Sequence, residues 1–127
     1  MYKEVVICIV VIIVIVSLDI FTQKYTRTTT SDITQILADL KSDMLKEDRD
    51  KIDEKVEILD EKWGQKHDRL AYYIEHDELE KVDTAIVSLK SYVETDDFSS
   101  AIAELDEGKF ILEHIQKKYA FNLENIF

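Results

Sequence analysis

Residues 5–21 read VVICIVVIIVIVSLDIF, and this stretch decides how the rest of the chain is organised. Every position from 5 to 16 is valine or isoleucine except Cys8. As a helix, the 17 residues would be about 25 Å long. The hydrocarbon core of a bilayer is roughly 30 Å thick, and a short extension with Lys3 and Lys24 reaching outward makes up the difference. The stretch therefore predicts a membrane-spanning helix.

Two other interpretations of the apolar run fit less well. A buried strand is about 4–8 residues long, and no later segment looks like a pairing partner for it. A cleaved signal peptide needs a small-residue cleavage site, whereas residues 17–21 read SLDIF. Because Ile7 precedes Cys8, a lipoprotein signal does not fit either. We expect an uncleaved signal-anchor over residues 1–24, and its apolar anchor positions include Val5, Val6, Ile7, Val10, Ile13, Val16 and Leu18.

The orientation of this helix is weakly encoded. The α-amino group and Lys3 on one side balance Lys24 and Arg27 on the other, so the positive-inside rule gives a tie. The short tail before the apolar run favours an N-terminus inside the cell. We therefore expect a single-pass protein of the cell membrane with an extracytoplasmic C-terminal domain. Asp19 lies near the end of the run and can reach interfacial water, so we expect no transport role for it.

The remainder of the chain is strongly acidic. The whole chain carries 16 Lys and Arg against 27 Asp and Glu, a net charge of -11, and residues 31–127 alone carry 13 against 25. Such a surface repels phosphate groups, which disfavours nucleic acid and anionic lipid headgroups as partners of this domain. The chain has no proline and two glycines, which excludes collagen-like, proline-rich and linker proteins, and its 46% hydrophobic content excludes a disordered acidic tail.

Hydrophobic periodicity predicts helices throughout residues 32–127. Apolar residues recur three or four positions apart, as expected for one face of a helix. The four stripes are Ile33, Ile36, Leu37, Leu40 and Met44; Ile52, Val56, Leu59, Trp63 and Leu70; Leu79, Val82, Ile86, Leu89 and Val93; and Phe98, Ile102, Leu105, Leu112, Ile115 and Tyr119. We expect an all-α fold in which the transmembrane helix is followed by a small antiparallel bundle of three or four helices.

The boundaries between these helices are less well defined. Residues 25–31 are either a short stalk or a polar extension of the first helix, and residues 52–94 form one bent helix or two. Residues 46–51 are either a turn or a solvated stretch of helix, and two hairpins of similar length are conceivable. The candidate N-caps are Ser31 or Asp32, Asp77 with Glu80 three positions later, and Asp96 with Asp97.

No motif for catalysis or metal binding is present. The histidines, His67, His76 and His114, lie in neither Glu-x-x-His nor H-E-x-x-H patterns. A nucleophile elbow and a glycine-rich phosphate loop are also missing. His76 and Glu80 share a helix face, but two ligands do not make a metal site. We therefore expect a protein that is not an enzyme and that uses no metal and no cofactor.

Several short motifs resemble a known family. Trp63, the sequence EHDEL at residues 75–79 and the closing NIF at residues 125–127 resemble the domain of unknown function 4363 family, small membrane-anchored proteins of clostridia and related bacteria. Its His-x-Glu-Leu-like motif, its Asn-Ile-Phe end and a second His-Ile position match His76, Glu78, Leu79, Asn125, Ile126, Phe127, His114 and Ile115. The family's proline near that position is replaced by Gln116. The resemblance implies a Gram-positive membrane protein and no particular activity.

Two functions remain open at this point. The first is a membrane-tethered interaction or scaffold module that binds another membrane or envelope protein, with self-association as a further possibility. Its candidate contact residues are Trp63, His76, Asp77, Glu78, Asn125, Ile126 and Phe127. The last two could instead dock on the bundle and close it. The second function is an extracytoplasmic sensor of cations or small ligands, since acidic charge concentrates cations.

Overall fold

Four helices make up the described part of the chain. The computed structural model describes the backbone of residues 1–126 and the side chains of residues 1–119. The helices are α1 (Tyr2–Leu45), α2 (Arg49–Leu70), α3 (His76–Glu94) and α4 (Phe98–Ile126), and no strand occurs in residues 1–126. The predicted all-α architecture is therefore confirmed, with the second half of α1 acting as the first of four bundle helices.

Helix α1 continues without a break from the apolar run into the bundle. Its N-terminal half is long and apolar enough to cross a membrane, and none of its most apolar window is buried in the protein. Residues 25–31 are helical, which agrees with a polar extension of the helix rather than a separate stalk. Three threonines of this part are buried, namely Thr26, Thr29 and Thr30. Because the helix starts at Tyr2, neither Ser31 nor Asp32 caps it, and that expectation was wrong.

The four predicted stripes form one core. Their innermost members are fully enclosed, with Ile33, Leu40, Ile52, Leu59 and Leu79 each 0% exposed. Helix α1 packs against α2 and α4, and α3 packs mainly against α4. Helices α2 and α3 approach each other less closely, and long polar or aromatic side chains bridge the wider seam between them.

The two hairpins, α1–α2 and α3–α4, have the same turn. In the first, the N–H of Glu47 donates to the carbonyl of Met44 and the N–H of Asp48 donates to that of Asp43. Asp96 and Asp97 repeat this pattern with the carbonyls of Val93 and Tyr92. It is a Schellman turn, in which one residue adopts the left-handed conformation, and the φ angles are 54° at Glu47 and 57° at Asp96. The two hairpins considered from the sequence are therefore present, and their turns are alike.

An aspartate begins the helix after each of these turns. The side chain of Asp48 accepts a hydrogen bond from the N–H of Lys51, and that of Asp97 accepts one from the N–H of Ser100. Of the two predicted caps Asp96 and Asp97, only Asp97 is confirmed, because Asp96 lies in the turn before it. Residues 46–48 form a turn rather than helix. Both turns lie at the end of the bundle remote from the apolar run, which we call the far end.

The third turn, residues 71–75, lies at the opposite end of the bundle. It separates α2 from α3, so residues 52–94 contain two helices. Helix α3 begins at His76 after the N-cap residue Glu75, which makes no side-chain capping bond. The predicted capping box at Asp77 and Glu80 therefore starts two residues too late. Carbonyls of the last turn of α2 hold the loop instead, because the N–H groups of Tyr73 and Ile74 both donate to Leu70.

Candidate functional site

Trp63 lies inside the protein and not on its surface. The residue is 4% exposed, and its indole Nε1 donates to Asp83 Oδ1 at 2.6 Å. The ring of His67 packs edge-on against it at 5.8 Å, and His67 Nε2 lies 3.1 Å from Asp83 Oδ2. Because this cluster joins α2 to α3 across their wide seam, Trp63 serves packing and is unavailable as a surface contact.

Residues 76–78 form a corner at the start of α3. His76 is exposed, and its Nε2 lies 3.8 Å from Glu80 Oε2, while Asp77 is also exposed. Glu78 is different, since its side chain is 13% exposed and its Oε1 accepts a hydrogen bond of 3.0 Å from Lys118 on α4. That bond is the main cause of a raised pKa of the Lys118 ammonium group. The corner thus fastens α3 to α4 and exposes two of its three predicted residues.

The predicted contacts at the C-terminus lie outside the described side chains. Asn125, Ile126 and Phe127 belong to this group. The docking of Ile126 and Phe127 on the bundle stays a prediction, as does their role in binding.

A groove runs along the outer seam between α3 and α4, beginning at the corner. It has a volume of about 730 Å³. We call it the α3–α4 groove. It is lined by Asp77, Glu80, Lys81, Thr84, Ala85, Glu104, Glu107, Phe110 and Ile111. Among the predicted contact residues, the groove therefore includes Asp77.

Ala85, which lines the groove, lies at a close contact between α3 and α4. Gly108 is buried on α4, and a Cβ atom at that position would lie 3.5 Å from the Cβ of Ala85. This small pair lets the two helices approach closely, and the larger residues stand beside it. Phe110 is 70% exposed. Solvent therefore reaches the aromatic ring of Phe110 in the lining of the groove.

The rim of the groove is acidic. Four carboxylates, from Asp77, Glu80, Glu104 and Glu107, face a single cation, Lys81. A partly apolar lining with a negative rim suits a partner that carries both apolar and basic side chains.

Sequence patterns alone gave a partial signal for this groove. Phe110 is an apolar residue that falls off the predicted stripes, so it is absent from the expected core. An off-stripe phenylalanine is a usable signal of a surface contact, although a single exposed apolar residue is common. Which two helices form the seam follows from the packing and not from the spacing.

Clusters of the kind that hold metal ions do not occur in residues 1–119. No group of three or more His, Cys, Asp or Glu side chains converges there. Cys8 is exposed on the apolar half of α1, so no nucleophile of that type lies near the groove.

Comparison with known proteins places the chain in a family. No curated protein and no solved structure shows significant similarity to it. The sequence profile of a family described as a domain of unknown function, DUF4363, matches residues 20–126. The matched region contains the bundle and the groove together with the last residues of the apolar run. The chain therefore belongs to the DUF4363 family.

Proposed function

We propose that this protein is a single-pass membrane protein whose four-helix bundle binds a helical segment of another membrane or envelope protein. The apolar half of α1 supports the membrane span, since nearly all of its side chains are exposed within the described part of the chain. The observation that carries the binding role is the α3–α4 groove, with its exposed Phe110 and its acidic rim. Attachment to the bilayer raises the effective concentration of the bundle toward a membrane partner.

The occupant that fits the groove best is a basic amphipathic helix. Grooves between helices commonly receive a third helix, whose apolar residues recur at helical spacing and enter between the two. Lys or Arg beside that apolar face would meet the rim carboxylates of Glu104 and Glu107. A neutral or acidic segment would leave those carboxylates partly desolvated without compensation.

A peptide-binding measurement tests this proposal. The full chain is reconstituted in nanodiscs of zwitterionic lipid, and a fluorescent Leu/Lys peptide of helical periodicity serves as the probe. Because burying a phenylalanine contributes about 1.5–3 kcal/mol, Phe110→Ala should weaken binding by roughly tenfold or more. Leu45→Ala is the matched control, since Leu45 is 68% exposed at the far end, and it should leave the affinity unchanged.

Charge reversal separates the groove from the general acidity of the chain. Glu107→Lys and Glu47→Lys change the net charge by the same amount, but only Glu107 lines the groove. Glu107→Lys should weaken binding more than Glu47→Lys. Equal effects of the two reversals, or an unchanged affinity of Phe110→Ala, would show that the peptide follows net charge and would overturn the proposal.

A cation or small-ligand sensor is the other function considered above. No specific feature of residues 1–119 favours it, because no three ligating side chains converge there. The groove rim carries four carboxylates, but Lys81 lies among them and the apolar ring of Phe110 lies beside them, and neither side chain is a cation ligand. We therefore propose the interaction module alone.

A further inference from the structure

The turn between α2 and α3 lies at the level where the apolar run ends. The hydroxyl of Tyr73 is 2.6 Å from Thr26 Oγ1 and donates to the carbonyl of Thr22 at 3.4 Å. Thr22 follows the apolar run directly. Since α1 is one unbroken helix, residues 71–75 have a fixed height relative to that run. A bilayer surrounding the run therefore has its surface at this turn.

Aromatic side chains gather at the same level. Phe21 and Tyr25 stack at 6.4 Å, and Tyr73 meets Tyr119 edge-on at 6.3 Å. Tyr72, at the tip of the turn, is 90% exposed. Tyrosine is enriched at both surfaces of a membrane, where its ring is among the acyl chains and its hydroxyl among the headgroups.

The charge of the bundle differs between its two ends. Around the α2–α3 turn, residues 22–29, 63–78 and 113–119 carry six Lys and Arg against five Asp and Glu. Toward the far end, residues 39–58 and 90–109 carry seven against fourteen. The acidity that predicts repulsion of anionic headgroups therefore belongs mainly to the far end. The end beside the apolar run is nearly balanced in charge, so the phosphate groups of lipids meet little repulsion there.

From these three observations we infer that the bundle sits directly on the bilayer, with Tyr72 inserted among the lipid headgroups. This contact rests on the membrane span in the proposed function and is independent of the α3–α4 groove. The occupant of this surface is the same bilayer that surrounds α1. Lys66, whose Nζ lies 5.4 Å from the ring centre of Tyr25, is one of the cations at this end of the bundle.

Fluorescence quenching by brominated lipid tests the contact. The full chain is reconstituted in vesicles of acyl-brominated phosphatidylcholine mixed with phosphatidylglycerol, and one tryptophan is added at a time. Val11→Trp reports on the apolar run, Tyr72→Trp on the turn and Thr95→Trp on the far end. The wild-type emission of buried Trp63 is the baseline. Because tryptophan prefers the same interface, Tyr72→Trp should lose at least about twofold more of its added emission than Thr95→Trp.

The three tryptophan positions distinguish a failure of the membrane span from a failure of the contact at the turn. Strong quenching of Val11→Trp with equal, weak quenching at positions 72 and 95 would keep the membrane span and overturn the contact at the turn. An unquenched Val11→Trp would overturn the span itself and, with it, the contact. Tyr72 is almost fully exposed, so its replacement should not disturb folding, and the helical circular dichroism of each variant checks this.

Discussion

At the scale of single residues, Asp83 is the side chain that joins α3 to the buried Trp63 of α2. It accepts the indole N–H of Trp63 and lies beside His67. It therefore holds α2 to α3, which pack less closely than the other helix pairs in contact. Trp63 was predicted both as a member of the α2 stripe and as a contact residue. The stripe interpretation is confirmed, because the side chain is buried. Its acceptor lies 20 residues away, and sequence spacing alone does not identify it.

Replacement of Asp83 should destabilise the bundle. Asp83→Ala leaves the indole N–H without its acceptor, and an unpaired buried donor costs about 1–3 kcal/mol of unfolding free energy. Asp60→Ala is the matched control, since Asp60 also bridges to α3 through Lys90, but at the surface. It should cost less than about 1 kcal/mol. Chemical denaturation followed by circular dichroism measures both, and equal losses would contradict the importance given to Asp83.

The phenol of Tyr73 leads to a second prediction, which concerns the stability of the fold at high pH. Burial raises the pKa of its phenol above the ordinary value of 10.0, the hydrogen bond with Thr26 opposes the rise, and Tyr25 and Tyr119 add to it. The unfolded chain therefore loses this proton at a lower pH than the folded chain. The resulting stabilisation is complete below pH 10 and disappears as the pH rises through the folded pKa.

Spectrophotometric titration of tyrosinate checks this ordering. Because the pKa of Tyr73 is raised, Tyr73→Phe should lack the latest step of the titration. The matched variant Tyr72→Phe removes an exposed phenol and should keep the latest step. If the latest step persists in Tyr73→Phe, burial of this phenol does not control its ionisation.

At the scale of secondary-structure elements, the paired turns at the far end show what spacing can and cannot predict. Asp97 was recognised as a cap because an aspartate before an amphipathic segment is a strong start signal. The left-handed residues were not recognised, because that conformation favours glycine and the chain has Glu47 and Asp96 there. Arg49 links the two turns, since it donates to the carbonyl of Val93 at 2.8 Å and pairs with Asp96.

Glycine at one of these positions should stabilise the protein. A non-glycine residue in the left-handed region costs roughly 1–2 kcal/mol, and Glu47 is exposed and outside the Arg49 contact. Glu47→Gly should therefore raise the unfolding free energy by about 1 kcal/mol, reduced by the extra freedom of glycine in the unfolded chain. The control Lys46→Gly should bring no gain, because Lys46 has an ordinary φ of -88°. Thermal unfolding of both variants gives the answer, and a gain at position 46 alone would contradict it.

At the scale of the whole molecule, net charge is a source of instability. Residues 31–127 carry 25 Asp and Glu against 13 Lys and Arg, and the excess is concentrated toward the far end. Surface ion pairs such as Lys41 with Asp106 contribute less than about 1 kcal/mol each and do not offset a general repulsion. Salt shortens the range of that repulsion.

The full chain in nonionic detergent should therefore unfold at a higher temperature when salt is added. Screening worth about 1 kcal/mol corresponds to a rise of roughly 5 °C for a bundle of this size. The variant Glu54→Gln with Glu57→Gln removes two carboxylates that have no cationic partner within residues 1–119. It should be more stable in low salt and should respond less to added salt. A stability that falls with salt would mean that the ion pairs dominate.

The sequence predicts the apolar run and the core much further than it predicts the groove and the membrane contact. The apolar run and the four stripes follow from composition and period, so the span and the core were predictable. The groove depends on Gly108 and Ala85 meeting across two helices, and the turn at Tyr72 depends on its height along α1. Both are relations between segments distant in the chain, which periodicity within one segment does not contain.

Because α1 is one unbroken helix, its bundle half moves together with its apolar half. Its bundle half, residues 22–45, is about 36 Å long, so a tilt of about 20° within the bilayer would carry the far end roughly 12 Å sideways. A helix with no hinge at the membrane surface transmits such a tilt in full. A span of about 25 Å is shorter than a typical bilayer core, so its tilt would be set by interfacial side chains and packing, and these would thereby decide where the groove is presented to its surroundings.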